Sequence, residues 1–135
     1  DKPGVLPAAD DPQVRAFTQA LAAALPSDRR TLFLASADLA HIGPRFGDDQ
    51  YISEGFLAAA EEADRHYLAG VASGDAAAGL ASLRRHHDRF HVCGTGCIYA
   101  LGSGLPGVRG RLLGYHQAST PETHQAVSFA GMLFD

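Results

Sequence analysis

The sequence has no tryptophan, one methionine and only two cysteines among its 135 residues. Two thiols as close as Cys93 and Cys97 cannot make a disulfide framework, so stability must come from an apolar core, and a reducing compartment, the cytoplasm, is expected. No apolar run approaches the ~18 residues that a membrane-spanning helix needs, so no membrane partner is expected. Positive charge is also scarce, with 11 Lys and Arg against 15 Asp and Glu and a net charge of -4. A protein that binds the phosphate backbone leans the other way, so a nucleic-acid partner is not expected. The lone methionine is Met132 and the first residue is Asp1, from which a piece of a longer polypeptide is expected. What is present suits a globular fold: 46% of residues are hydrophobic and 19% charged. A chain of this length forms one domain and hides roughly two thirds of its unfolded surface.

Along the chain, residues 1–9 lack periodicity and read as a linker or tail, with a single α/β domain expected over 10–135. Asp11 and Pro12 form a helix start, and Val14, Phe17, Leu21 and Leu25 recur at helical spacing up to Pro26. Thr31–Ser36 is a short run that is apolar on both faces, the pattern of a central strand buried between helix layers. Residues 38–49, with Gly43, Pro44 and Gly47, read as the loop leaving that strand. A long helix is predicted from Glu54 to Ser73, ended by Gly74, and a second from the cap Asp75 to about Asp88. The charge run Arg84–Arg89 reads as a solvated helix end. A short helix over about Gly96–Gly102 and a hairpin of Arg109–Ala118 with His124–Leu133 complete the reading. Together they predict a layered α/β/α domain with a mixed sheet.

Two constellations carry chemistry. Asp38 and His41 stand at the mouth of the predicted strand, an imidazole three positions from a carboxylate. That spacing serves a metal ligand with its orienting partner, or a general base with its orienter. The plainer alternative is that Asp38 caps the turn and His41 bonds a backbone carbonyl. Cys93 precedes a predicted helix, whose free N–H groups favour thiolate, whereas Cys97 reads as a small core residue. The spacing of the two cysteines is wrong for a zinc knuckle, but His87, His91 and Cys93 offer a local zinc set. Ser36 lacks the surroundings of a nucleophile elbow.

The order of five blocks adds a resemblance. Leu34-Ala-Ser-Ala-Asp-Leu-Ala-His-Ile-Gly-Pro-Arg-Phe-Gly47, Asp64-Arg65, Cys93-Gly94, Leu113-Gly-Tyr115 and Val127-Ser-Phe-Ala130 together resemble the Memo-like family. The similarity is to the members called AmmeMemoRadiSam system protein B. The resemblance implies a fold shared with class III extradiol dioxygenases and a mononuclear transition metal, with His41 and Cys93 as ligands and Asp38 as acidic partner. Imidazole with thiolate suits iron, copper or zinc better than magnesium or calcium. Family members bring two further pocket histidines in an amino-terminal half, one of them in a Pro-His-Ala-Gly block that is absent here. The chain therefore resembles the carboxyl-terminal half of such a protein, whose amino-terminal half is the expected partner.

The leading expectation is a metal-binding, redox-capable domain, an iron or copper oxidoreductase by resemblance, with Asp38 and His41 as catalytic candidates. Two alternatives stand beside it. One is a non-enzymatic module whose pocket takes a peptide or small molecule, and the other a structural domain stabilised by zinc on His87, His91 and Cys93.

Overall fold

The structure, a computed structural model, describes residues 11–26, 28, 30–85, 87–105 and 107–135. The expected tail and His86 lie outside them. Among the described residues four α-helices pack with a three-stranded antiparallel sheet: α1 (Pro12–Ala23), α2 (Glu54–Ala72), α3 (Ala76–Arg85) and α4 (Thr95–Gly104), and β1 (His41–Ile42), β2 (Gly110–Thr120) and β3 (Gln125–Phe134). The sheet order is β1-β3-β2.

Local chemistry explains the helix ends. Asp11 accepts from the N–H groups of Gln13 at 2.7 Å and Val14 at 3.4 Å, and Pro12 fills the first turn of α1, where its missing N–H costs nothing. Ser53 accepts from the Phe56 N–H at 3.2 Å to open α2. Gly74 leaves that helix at φ 81°, where other residues are strained. Asp75 then caps α3 through Ala77 and Ala78. The two helices meet at glycines, since a Cβ on Gly70 would lie 2.7 Å from the Gly79 Cα.

The hairpin follows its predicted alternation, with Tyr115 opposite Ala130 and an irregularity between Leu112 and Gly114. Two apolar clusters form the core. One gathers Leu39, Tyr67, Leu68, Val71, Leu83 and Val92, and the other Ala40, Ile42, Phe56, Ala60, Phe90 and Ala126. Successive residues of an extended segment point to opposite sides, so Leu39 enters the first cluster while Ala40 and Ile42 enter the second.

The central-strand reading of Thr31–Ser36 is corrected. Those residues are extended but belong to no strand, and among the described residues no backbone hydrogen bond is made by 31–37. Leu32 is 89% exposed and Leu34 83%. A ladder needs a neighbouring strand as well as an apolar sequence, and the described chain offers none along this stretch. Among the described residues the sheet consequently holds antiparallel pairs only, within an α/β fold whose class is as expected.

Three smaller expectations also change. The apolar stripe of α1 is only partly covered, with Phe17 59% exposed. Cys97 points outward from α4 and is exposed, because Thr95 and Tyr99 take the inward positions. The segment after α3 is more than a solvated end. Asp88 is buried there and accepts from the Val92 N–H at 2.9 Å, while His87, Asp88 and His91 all adopt positive φ.

Candidate metal centre

The segment 39–41 is held from both sides. Toward β3, the Leu39 N–H donates to the Ser128 carbonyl at 2.9 Å and the Ser128 N–H to the Ala40 carbonyl at 3.0 Å. On the opposite side, the His41 N–H donates to the Phe90 carbonyl at 2.8 Å and the Cys93 N–H to the Leu39 carbonyl at 3.3 Å. The segment thus binds the turn bearing Cys93 directly to the strand mouth bearing Asp38 and His41. Gly94 makes the approach possible. A Cβ there would collide with the Asp38 carbonyl oxygen and lie 2.7 Å from the Ala37 Cβ.

This packing brings Asp38, His41 and Cys93 together, each offering a ligand atom within 4.8 Å of the other two. The thiol of Cys93 donates to Asp38 Oδ1 at 2.7 Å, and His41 Nε2 lies 3.5 Å from Asp38 Oδ2. The other imidazole nitrogen, His41 Nδ1, lies 3.1 Å from the Leu39 carbonyl. A carbonyl only accepts, so this bond puts a proton on Nδ1 and leaves Nε2, the nitrogen on the Asp38 side, as the one that offers a lone pair in the neutral imidazole. The orienter of His41 is therefore a backbone carbonyl. Asp38 stands on the opposite side of the ring, as a third donor. The Phe46 ring meets the imidazole edge-on at 5.0 Å and limits its rotation.

Electrostatics at Cys93 run against the expected easy ionisation. Partial desolvation, then the bond donated to Asp38 and that residue's charge, push the thiol up to about 11. The neighbouring carboxylate outweighs the roughly half charge of a helix N-terminus. A cation between the two anionic groups takes the place of the thiol proton and removes the repulsion. A thiol that can ionise on metal binding, an imidazole and a carboxylate brought together from two segments fit a transition metal.

The local zinc set does not assemble. Among the described residues, His87 and His91 join no group of three ligands. The His91 Nδ1 is directed instead at the His41 carbonyl, 3.2 Å away.

The structure adds a polar network beside the cluster to which the sequence reading gave no role. Asp64, 1% exposed on α2, accepts at Oδ2 from Ser128 Oγ at 2.5 Å and from the Tyr115 hydroxyl at 2.8 Å. Gln117 donates to that hydroxyl at 3.0 Å and to the Leu57 carbonyl at 2.9 Å. The available signal was helical phase, because an aspartate at position 64 interrupts the stripe of Ala60, Tyr67, Leu68 and Val71.

Fold and cluster together define an α/β protein in which an imidazole, a thiol and a carboxylate converge at the mouth of a short strand. The family described as Memo-like protein matches residues 3–133, and the chain belongs to that family. A search of curated proteins finds no match.

Proposed function

We propose that this chain is the carboxyl-terminal half of a Memo-like protein of the AmmeMemoRadiSam system protein B type. In this reading it contributes His41 and Cys93, with Asp38, to a mononuclear transition-metal site. The observation that carries the proposal is the convergence of three ligand atoms within 4.8 Å. Iron or copper held by these residues would supply redox or Lewis-acid chemistry. The chain's own contribution is positional. Leu39 orients the imidazole, Gly94 lets the thiol reach the carboxylate, and Asp38 accepts a hydrogen bond from that thiol.

The partner in this proposal is the amino-terminal half with its further histidines. The exposed leucines and the backbone of 31–37, unpaired among the described residues, supply its docking edge, and an apolar trough of about 580 Å3 runs beneath them, lined by Leu25, Phe33, Leu68, Leu101 and Met132 among others. A strand added along 31–37 satisfies the bare N–H and C=O groups and covers the leucines. It also ends beside Asp38, next to the cluster.

Metal analysis tests the proposal. The chain alone is expected to hold little iron or copper, and the chain with an amino-terminal half near-stoichiometric metal, lost in His41→Ala and in Cys93→Ser. Metal retained in the assembled protein despite His41→Ala overturns the assignment. An assembled protein that binds a peptide or small molecule without any metal favours the non-enzymatic module.

A further inference from the structure

Ser128 uses its hydroxyl twice. It accepts the Ala40 N–H at 2.8 Å and donates to the buried Asp64 carboxylate. With the two backbone bonds already described, this one residue makes three hydrogen bonds to Leu39 and Ala40. A serine hydroxyl turns freely about its Cα–Cβ bond unless its proton has an acceptor, and Asp64 is the acceptor that aims this one. Asp64 is itself held by the Tyr115 hydroxyl, so α2, β2 and β3 meet at a single carboxylate, and the 39–41 segment is tied to it through Ser128. Its other oxygen, Oδ1, is buried with no hydrogen-bond partner among the described residues. An unpartnered buried oxygen is costly for stability, so a carboxylate kept there needs a reason other than stability.

We propose that Asp64 is a positioning residue for the Asp38–His41–Cys93 cluster, acting through Ser128 to hold the 39–41 backbone in the register that sets the two ligand-bearing turns against each other. The inference builds on the reading of that cluster as a site. Asn is the conservative variant here, because its amide oxygen can still accept from Ser128 and Tyr115 while the charge is removed.

The test compares Ser128→Ala, Asp64→Ala and Asp64→Asn in the full chain, with Cys97→Ser as background so that alkylation reports Cys93. Two readouts apply: amide hydrogen exchange at Ala40 and His41 relative to Leu80 in α3, and the rate of Cys93 alkylation by iodoacetamide. Ser128→Ala and Asp64→Ala are expected to speed exchange at Ala40 and His41 by about tenfold more than at Leu80. Both should also release the Cys93 thiol from Asp38 and quicken its alkylation. Asp64→Asn is expected to stay within about twofold of wild type, because the acceptor is kept. Equal acceleration at Ala40 and Leu80 marks a merely structural role and overturns the proposal, as does an Asn variant no better than Ala. Should Asp64→Ala fail to fold, Ser128→Ala and Asp64→Asn decide the matter between them. Neither readout needs a metal, so their failure sinks the positioning role and leaves the metal assignment to its own experiment.

Discussion

Residues 31–37 and 39–42 are adjacent parts of one segment, similar in apolar character and opposite in fate. Leu32 and Leu34 stand 89% and 83% exposed, whereas Leu39 and Ile42 are 2% and 1% exposed. The second stretch has β3 on one side and the 90–93 turn on the other, and its backbone groups bond to both. Among the described residues the first stretch has neither. Hydrophobicity favours burial of both, but an extended backbone enters an interior only where neighbours take up its N–H and C=O groups. Asp38 lies at the junction, and the candidate metal centre is built where the paired part begins.

The sharpest contrast comes from truncating a leucine on each side of that junction. Leu39→Ala removes a side chain buried among Tyr67, Leu68 and Val92 and is expected to cost about 2 to 5 kcal/mol, read by denaturant unfolding. A cost below that of an ordinary surface substitution would show that 39–42 is no more anchored than 31–37. Gly94→Ala attacks the junction itself. Its Cβ meets backbone at Asp38 rather than a flexible side-chain tip, so about 1 to 3 kcal/mol of overpacking is expected, with faster alkylation of Cys93 as the turns part.

Stability against pH sharpens the comparison from the buried side. Burial first, then the charges of Asp88 and Glu61, raise the Asp64 carboxyl, while its bonds from Ser128 and Tyr115 oppose the rise. The folded state therefore keeps this proton to higher pH than the unfolded state. Unfolding releases it between the two values, and stability falls as pH rises above the ordinary carboxylate value of 3.8. One proton sets a ceiling of about 1.4 kcal/mol per pH unit on that slope. Asp64→Asn should flatten the fall; an unchanged profile assigns it to other groups. The smallest effect belongs to the exposed stretch. Leu32→Ser and Leu34→Ser are expected to move the stability of this chain by no more than about 0.5 kcal/mol. In the proposed assembly with an amino-terminal half, the same changes should weaken association. Equal tolerance in both settings would remove 31–37 from the interface.

Much of the fold was legible before any coordinates. The caps Asp11 and Asp75 and the terminator Gly74 act within a few residues of their own positions, so one window of sequence contains both donor and acceptor. The hairpin is local in the same sense. Asp38, His41 and Cys93 were legible as candidates from residue type and from the resemblance, but their roles were not. That Asp38 faces the Nε2 side of His41 depends on the Leu39 carbonyl occupying the Nδ1 side. The outward turn of Cys97 and the buried Asp88 were misread because helix phase and a left-handed turn are set by what packs around them.

By itself, then, the sequence determined the helices, their caps, the hairpin and the family membership, because each depends on short-range bonding or on the order of residues. Only the tertiary structure decided which apolar stretch was covered, that a thiol and a carboxylate share a proton 55 positions apart, and that Asp64 reaches Ser128 across 64. Those outcomes depend on neighbours distant in the chain. Backbone pairing across β3 and the glycine contact at Gly94 bring these neighbours together, and no window of sequence contains both partners.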